Sequence, residues 1–175
     1  MTTIHIALGS NIDPENNIKA AVTLLREQYP HTRFSSVYRS APLHHADQQD
    51  FLNAVAAFEA ENEPEFVYNL LRHIEQMLGK HTLFRFGPRA IDLDLLLHGS
   101  TVHPDEPTWK SLGNAAKSEE MLLIPHPRMH ERRFVLEPLI ELLEPNGKHP
   151  MIDKTWDELL KETMDQRVEK MRIAL

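Results

Sequence analysis

The chain contains no cysteine among its 175 residues, which excludes disulfides, thiolate metal sites and a cysteine nucleophile. No apolar run approaches the roughly 20 residues that carry a helix across a bilayer. The opening MTTIHIALGSN lacks the basic start and long apolar core of a secretory signal, so a cytoplasmic location is expected. Basic residues are in the minority, 19 Lys plus Arg against 26 acids for a net charge of −7. Broad attraction to nucleic acid is therefore not expected, and neither a nucleic-acid nor a membrane partner is expected. No GxxxxGK[ST] occurs, so a P-loop is excluded as well.

What remains is a chain with 41% apolar and 26% charged residues, enough for one globular domain over residues 1–175. An anionic ligand would need a local basic pocket in such an acidic chain. Two segments can supply one: Lys80, His81, Arg85 and Arg89, and later Arg128, His130, Arg132 and Arg133. Either could equally be a solvated loop of scattered charge.

Hydrophobic periodicity orders the elements. TIHIAL puts Ile4, Ile6 and Leu8 on one face of a first strand, ended by Gly9-Ser10-Asn11. A helix follows, with Asp13 placed to cap it, Pro14 in its first turn and a stripe of Ile18, Ala21, Val22 and Leu25. RFSSVYR over 33–39 alternates as a second strand, and FLNAVAAFEA from Phe51 as a third, its hairpin partner across a polar loop. Pro64 opens a second helix with Phe66, Val67, Leu70, Leu71, Ile74 and Leu78 at helical spacing, and Gly79 ends it. A fourth strand then carries Asp92 and Asp94. The order β-α-β-β-α-β predicts an α+β, ferredoxin-like antiparallel sheet with helices on one face. Beyond Gly99, residues 100–120 read as an inserted surface loop. A C-terminal extension closes on a helix expected over about 155–173, from the spacing of Trp156, Leu159, Leu160, Met164, Val168 and Met171.

The chemistry concentrates in GPRAIDLDLLLH, residues 87–98. Ala90, Ile91, Leu93, Leu95, Leu96 and Leu97 have the composition of an interior strand, yet two carboxylates interrupt them. On a strand these point to one face, with Cα atoms about 7 Å apart. Buried carboxylates cost several kcal/mol unless paired or bound to metal. A solvated edge-strand pair is the alternative.

The motifs ALGSN, SVYRSAPL, DQQDFLNAV, GPRAIDLDLLLHG and IPHPRMHERRFVLEPL occur in that order. Over residues 3–145 the chain resembles the 6-hydroxymethyl-7,8-dihydropterin pyrophosphokinases of folate biosynthesis, which have the ferredoxin-like fold and transfer pyrophosphate from ATP to a pterin alcohol. The resemblance implies that Asp92 and Asp94 hold two Mg²⁺ ions, and oxygen donors beside a triphosphate suit that metal. It implies a catalytic set of Asp92, Asp94, Arg85 and Arg89. It places ATP on Glu75, Lys80, Arg89, Leu95, His126 and Arg132, with arginine forks binding phosphate oxygens. It places the pterin on Ser40, Ala41, Leu43, Phe51, Asn53, Phe86 and Phe134, the ring sandwiched between Phe51 and Phe134 and its polar edge met by the Asn53 amide. A monomer acting on these two small molecules is expected.

The chain departs from the pattern at Lys80, where the family usually has arginine, and at Phe86, where it has tryptophan. The loop 80–89 is expected to order over bound ATP and pterin, with Arg85 joining the phosphates on closure. Three rival readings compete. GS followed by DxD is also a nucleotidyltransferase signature, but here the two parts lie most of a domain apart. His126 and His130, four residues apart, hint at zinc but lack a third convergent ligand. A relic that binds pterin or nucleotide without turnover is the non-enzymatic alternative.

Overall fold

Backbone pairing in the computed structural model, which describes residues 1–42, 48–79, 89–112, 121–144 and 146–175, joins the strands into one antiparallel sheet. Strands β1 (Thr2–Ser10), β4 (Phe51–Ala60) and β5 (Asp92–His98) form its centre and one edge, with β1 between the other two. The single strand expected over 33–39 is divided into β2 (Arg33–Phe34) and β3 (Tyr38–Ser40), both paired with β4. Between them the Ser35 hydroxyl accepts from Val55 N–H at 2.9 Å while Val37 turns into the core.

The alternation in β1 decides which face is which. Ile4, Ile6 and Leu8 join Leu52, Ala54, Ala56 and Phe58 of β4 and Leu93 and Leu95 of β5 on one face. Helices α1 (Pro14–Gln28) and α2 (Pro64–Met77) cover that face, α1 through the four stripe residues predicted for it and α2 through Val67, Leu71 and Ile74. This is the ferredoxin-like core expected from element order. Asp13 occupies the cap position of α1 but does not cap with its side chain. It sits at φ 40°, and its carboxylate accepts from Asn16 Nδ2 at 3.0 and 3.1 Å. Gly79 takes the left-handed conformation at φ 77° that ends α2. Phe66, counted in the apolar stripe, is 57% exposed, because it lies about 100° around the helix from Val67, off the buried line through Val67, Leu71 and Ile74.

The opposite face is covered by the C-terminal part of the chain. Helix α4 (Arg133–Ile140) sets Val135, Leu136 and Leu139 against Val55, Leu96 and Leu97, and α5 (Trp156–Glu162) adds Trp156 and Leu159. A register shift opposite His5 and Ile6 makes Leu96 an extra residue in β5, which is why consecutive leucines both enter this second cluster.

Two expectations are corrected here. Residues 100–120 are not simply a surface loop: α3 (Glu106–Leu112) buries Trp109, whose indole N–H donates to Pro125 C=O at 2.6 Å. The helix expected over 155–173 ends at Glu162, and Val168–Lys170 instead forms β6 on β3. The short strand β3 would otherwise present a bare edge. β6 pairs with it, Met171 N–H donates to Val37 C=O at 2.8 Å, and Arg39 pairs with Glu169. Glu141, at the end of α4, ties the same corner together. It accepts from Ser36 N–H, the Tyr38 hydroxyl and Lys170 at 2.8, 2.6 and 3.0 Å. Burial works against its charge, but these donors outweigh it and hold its pKa below the usual value.

Both tryptophans of the chain flank one buried histidine. His149 is 4% exposed, its ring centroid 6.0 Å from that of Trp109 and 5.4 Å from that of Trp156. Its Nδ1 accepts from Met151 and Ile152 N–H at 3.1 and 3.2 Å, which fixes the neutral ring. Burial, with His130 nearby, lowers its pKa to about 4. The unfolded chain, with histidine near 6.5, binds the proton more readily, so stability is full above pH 6.5 and falls as pH drops toward 4. The loss by pH 4 from this group is about 3 kcal/mol, at about 1.4 kcal/mol per pKa unit. His149→Asn keeps an acceptor near the Nδ1 position and removes the titration. Denaturant melts should show it less stable at pH 7.5 but with a flatter dependence between pH 6.5 and 4. An unchanged slope would place the acid sensitivity elsewhere.

Candidate active site

Asp92 and Asp94 alternate with Leu93 and Leu95 along β5, so their carboxylates emerge on the face opposite the α1 and α2 core. There they meet a cavity of about 330 Å³ bounded by the sheet, α4, the Ser40-Ala41 end of β3 and the 121–132 segment. At this end the strand is fully buried on one side only. Each carboxylate is half-buried and has a guanidinium beside it: Arg89 Nη1 bonds Asp92 Oδ2, and Arg72 Nη2 lies 3.9 Å from Asp94 Oδ1. The acidic pair is thus compensated by charge, the condition its burial requires.

The Gly9-Ser10-Asn11 turn positions Arg89. Asn11 and Ile12 N–H both donate to Arg89 C=O at 3.1 and 3.3 Å, and Arg89 N–H donates back to Asn11 Oδ1 at 2.8 Å. The Ser10 hydroxyl donates to Ala90 C=O, and the Asn11 amide reaches Gln48 and the Gln49 carbonyl. A short polar triplet at the end of β1 therefore clamps the chain entering β5 by its backbone. The guanidinium is left pointing at the carboxylates.

On the other side of the cavity, Asn53 pairs with Gly9 across β1 and β4. Its Nδ2 donates to Ser40 Oγ at 2.9 Å and to Tyr38 C=O at 3.3 Å. With both amide hydrogens used, Asn53 is left with an oriented acceptor, Oδ1. Phe51 and Phe134 line the same cavity from β4 and α4, and the Arg132 guanidinium sits 5.8 Å from the Phe134 ring centre.

His126 lies on the turn after Pro125, its backbone N–H donating to Leu96 C=O at 2.9 Å. Its Nδ1 accepts from Arg128 N–H at 3.2 Å, which leaves the proton on Nε2. Burial lowers its pKa, against the pull of Asp94.

The cavity thus gathers Ser40, Ala41, Phe51, Asn53, Arg89, Asp92, Asp94, Leu95, His126, Arg132 and Phe134 from the sequence expectation. Glu75 is not among its lining residues, nor is it a solvated helical acid. It is 1% exposed and accepts from Leu93 N–H at 2.7 Å on the outer edge of β5. Leu43, Lys80, Arg85, Phe86 and the loop proposed to close over the site, up to residue 88, lie outside the described residues. Of the later basic segment, Arg128 and Arg132 face the cavity, while Arg133 pairs with Glu137 and His130 packs on His149. Sequence reading missed Tyr68, Arg72, Met121 and Leu122 as lining residues. Tyr68, Arg72 and Glu75 do form a polar stripe at i, i+4 and i+7 beside the apolar stripe of α2. That spacing was the available signal.

Among the described residues no group of three or more His, Asp or Glu side chains converges as a metal site. Two half-buried carboxylates on one strand face nevertheless fit Mg²⁺, which keeps several waters and binds through one or two carboxylates plus the phosphates of a nucleotide.

Comparison with known proteins agrees with the geometry. The family model for 7,8-dihydro-6-hydroxymethylpterin-pyrophosphokinase matches residues 5–144. The 2-amino-4-hydroxy-6-hydroxymethyldihydropteridine pyrophosphokinase of Haemophilus influenzae is 36% identical, over 98% of this chain and 99% of its own length. The Bacillus subtilis protein of the same name is 38% identical, over 80% of this chain and 77% of its own. Among solved structures, an HPPK-DHPS in complex with substrates superposes with a TM-score of 0.71 at 10% identity, and wild-type Plasmodium falciparum HPPK-DHPS with 0.66 at 14%. This chain spans 94% of itself but only 45% of each of those longer chains, so the likeness establishes the fold. A family match over residues 5–144, on a fold whose cavity gathers the DxD carboxylates, the arginines and two phenylalanines, makes this chain a member of the 7,8-dihydro-6-hydroxymethylpterin-pyrophosphokinase family, ATP-dependent diphosphotransferases of folate biosynthesis.

Proposed function

We propose that this chain transfers pyrophosphate from ATP to the hydroxymethyl oxygen of 6-hydroxymethyl-7,8-dihydropterin, releasing AMP, with Asp92 and Asp94 as ligands to two Mg²⁺ ions. The observation that carries this reading is the junction of two unlike surfaces in one cavity. Phe51, Phe134 and the Asn53 acceptor line it from β4 and α4, and Asp92, Asp94 and four arginines, Arg72, Arg89, Arg128 and Arg132, line the same cavity. Bound Mg²⁺ supplies neutralisation of the ATP phosphates at the carboxylates. The remaining work belongs to side chains of this protein.

Phe51 and Phe134 hold the flat ring, and Asn53 Oδ1, its orientation fixed by Ser40 and Tyr38, accepts from an N–H on the ring edge. Arg89, Arg128 and Arg132 bind phosphate oxygens and align the β-phosphorus with the incoming hydroxymethyl oxygen. His126, neutral and protonated on Nε2, donates to a phosphate oxygen without adding a formal charge. Tyr68, Leu95 and Leu122 offer an apolar shelf for the base. Lys80 and Arg85 join the phosphate set by resemblance alone.

Incubation with ATP, Mg²⁺ and the dihydropterin alcohol, followed by identification of the nucleotide product, tests the reading. AMP is expected. ADP would indicate a simple kinase and inorganic pyrophosphate a nucleotidyltransferase, while no turnover with retained binding would leave the relic.

A further inference from the structure

Among the described residues β5 is an edge of the sheet, paired on its inner side with β1. In an antiparallel pair a residue directs its N–H and C=O to the same side, and successive residues alternate. Leu93, between the two aspartates, directs both groups outward. An edge residue of this kind normally relies on water or on another chain.

Here α2 supplies both partners. Glu75 Oε1 accepts from Leu93 N–H at 2.7 Å, and Arg72 Nη2 donates to Leu93 C=O. The two side chains are joined by an ion pair, Arg72 Nη1 to Glu75 Oε2 at 3.0 Å. The Arg72 guanidinium also lies 5.2 Å from the Tyr68 ring centre, one turn earlier on α2. A helix thereby stands in for a missing strand through one residue pair three apart. The bonded residue is the one whose backbone sets the separation and tilt of Asp92 and Asp94. From the same guanidinium, Nη2 approaches Asp94 Oδ1 at 3.9 Å.

We infer that Arg72 is a positioning residue that, braced by Glu75, holds β5 so that its two carboxylates bind the metal-nucleotide together; this rests on the function proposed above. Its role differs from that of Arg128 and Arg132. One terminal nitrogen is committed to the Glu75 carboxylate and the other to the strand backbone, so the fork is spent within the protein. Lysine cannot reproduce the contact, because a single ammonium lacks the planar spacing that meets a carboxylate and a carbonyl together.

The test compares Arg72→Met, Arg72→Lys and Glu75→Gln with the parent protein. Hydrogen exchange at the Leu93 amide is measured without ligand. Calorimetry then gives the Mg²⁺ concentration that half-saturates binding of an unreactive ATP analogue, and the affinity for the dihydropterin alone. Both Arg72 variants should raise the half-saturating Mg²⁺ about 10- to 100-fold, the loss typical when the support of a metal ligand is removed. Pterin affinity should stay within about twofold, and Leu93 exchange should accelerate. Glu75→Gln keeps an acceptor for Leu93 N–H but loses the ion pair, and should fall between. Unchanged Mg²⁺ dependence with unchanged Leu93 exchange in Arg72→Met overturns the inference, whatever happens to turnover. So does a loss of analogue affinity that is the same at every Mg²⁺ concentration, since that would make Arg72 a direct phosphate ligand. Failure of the parent protein to form AMP would instead remove the functional reading, and is seen without any variant.

Discussion

Asp92→Ala and Asp94→Ala should each lower kcat by about 10³-fold or more at saturating ATP, because in the function proposed above each carboxylate is a ligand to the metal that neutralises the phosphates. A loss of several kcal/mol of transition-state stabilisation corresponds to that factor, at about 1.4 kcal/mol per tenfold. From sequence alone, removal of either carboxylate would relieve repulsion between like charges and leave the melting temperature unchanged or raised. The structure alters that part of the expectation. Asp92 is paired with Arg89, and Asp94 lies near Arg72, so relief is offset by the lost attraction to a guanidinium. Melting temperatures should therefore shift by only a few degrees, on the order of 1 kcal/mol for a chain of this size. Steady-state assays at several Mg²⁺ concentrations check the first part and calorimetric melts the second. Near parental kcat in either variant would remove the carboxylates from the chemistry.

Asn53→Ala and Phe134→Ala should weaken dihydropterin binding by about 5- to 150-fold while ATP-analogue affinity changes little. Loss of one oriented polar contact to a buried ring costs about 1–3 kcal/mol, and loss of an aromatic face is of similar size. Asn53→Ala also frees Ser40 Oγ and the Tyr38 carbonyl from the amide that bridges them. Ser40→Ala, which keeps Asn53 but removes one of its anchors, should give a smaller loss of the same kind. Calorimetric titration of both ligands into all three variants separates the sites. Equal losses for pterin and nucleotide would show that the ring does not lie between Phe51 and Phe134.

Much of this site was legible in the chain because its signals are local. A strand that alternates Leu93 and Leu95 with Asp92 and Asp94 needs no tertiary knowledge to put two carboxylates on one face. Periodicity likewise located β1, α1, β4 and α2, whose apolar stripes each have a single buried side. The C-terminal segment misled for the converse reason. Trp156 and Leu159 do belong to a helix, but the spacing that continues to Val168 and Met171 coincides with a strand. Residues 168–170 respond to the unpaired edge of β3, a demand made by a segment about 130 positions earlier. No local pattern records that demand.

The sequence by itself determined the family, the order of the core elements and the identity of the charged and aromatic residues available for chemistry, because these follow from motif and period. Tertiary structure alone decided which of them meet. Arg128 and Arg132 face the cavity while Arg133 and His130 turn away, since the short turn and α4 between them are packed on Leu96, Leu97 and Val55. Asn53 became an acceptor because Ser40 and Tyr38 took its hydrogens. Glu75 does not line the cavity and meets the backbone of β5 together with Arg72, because an edge strand must satisfy its outward groups and α2 is packed beside it.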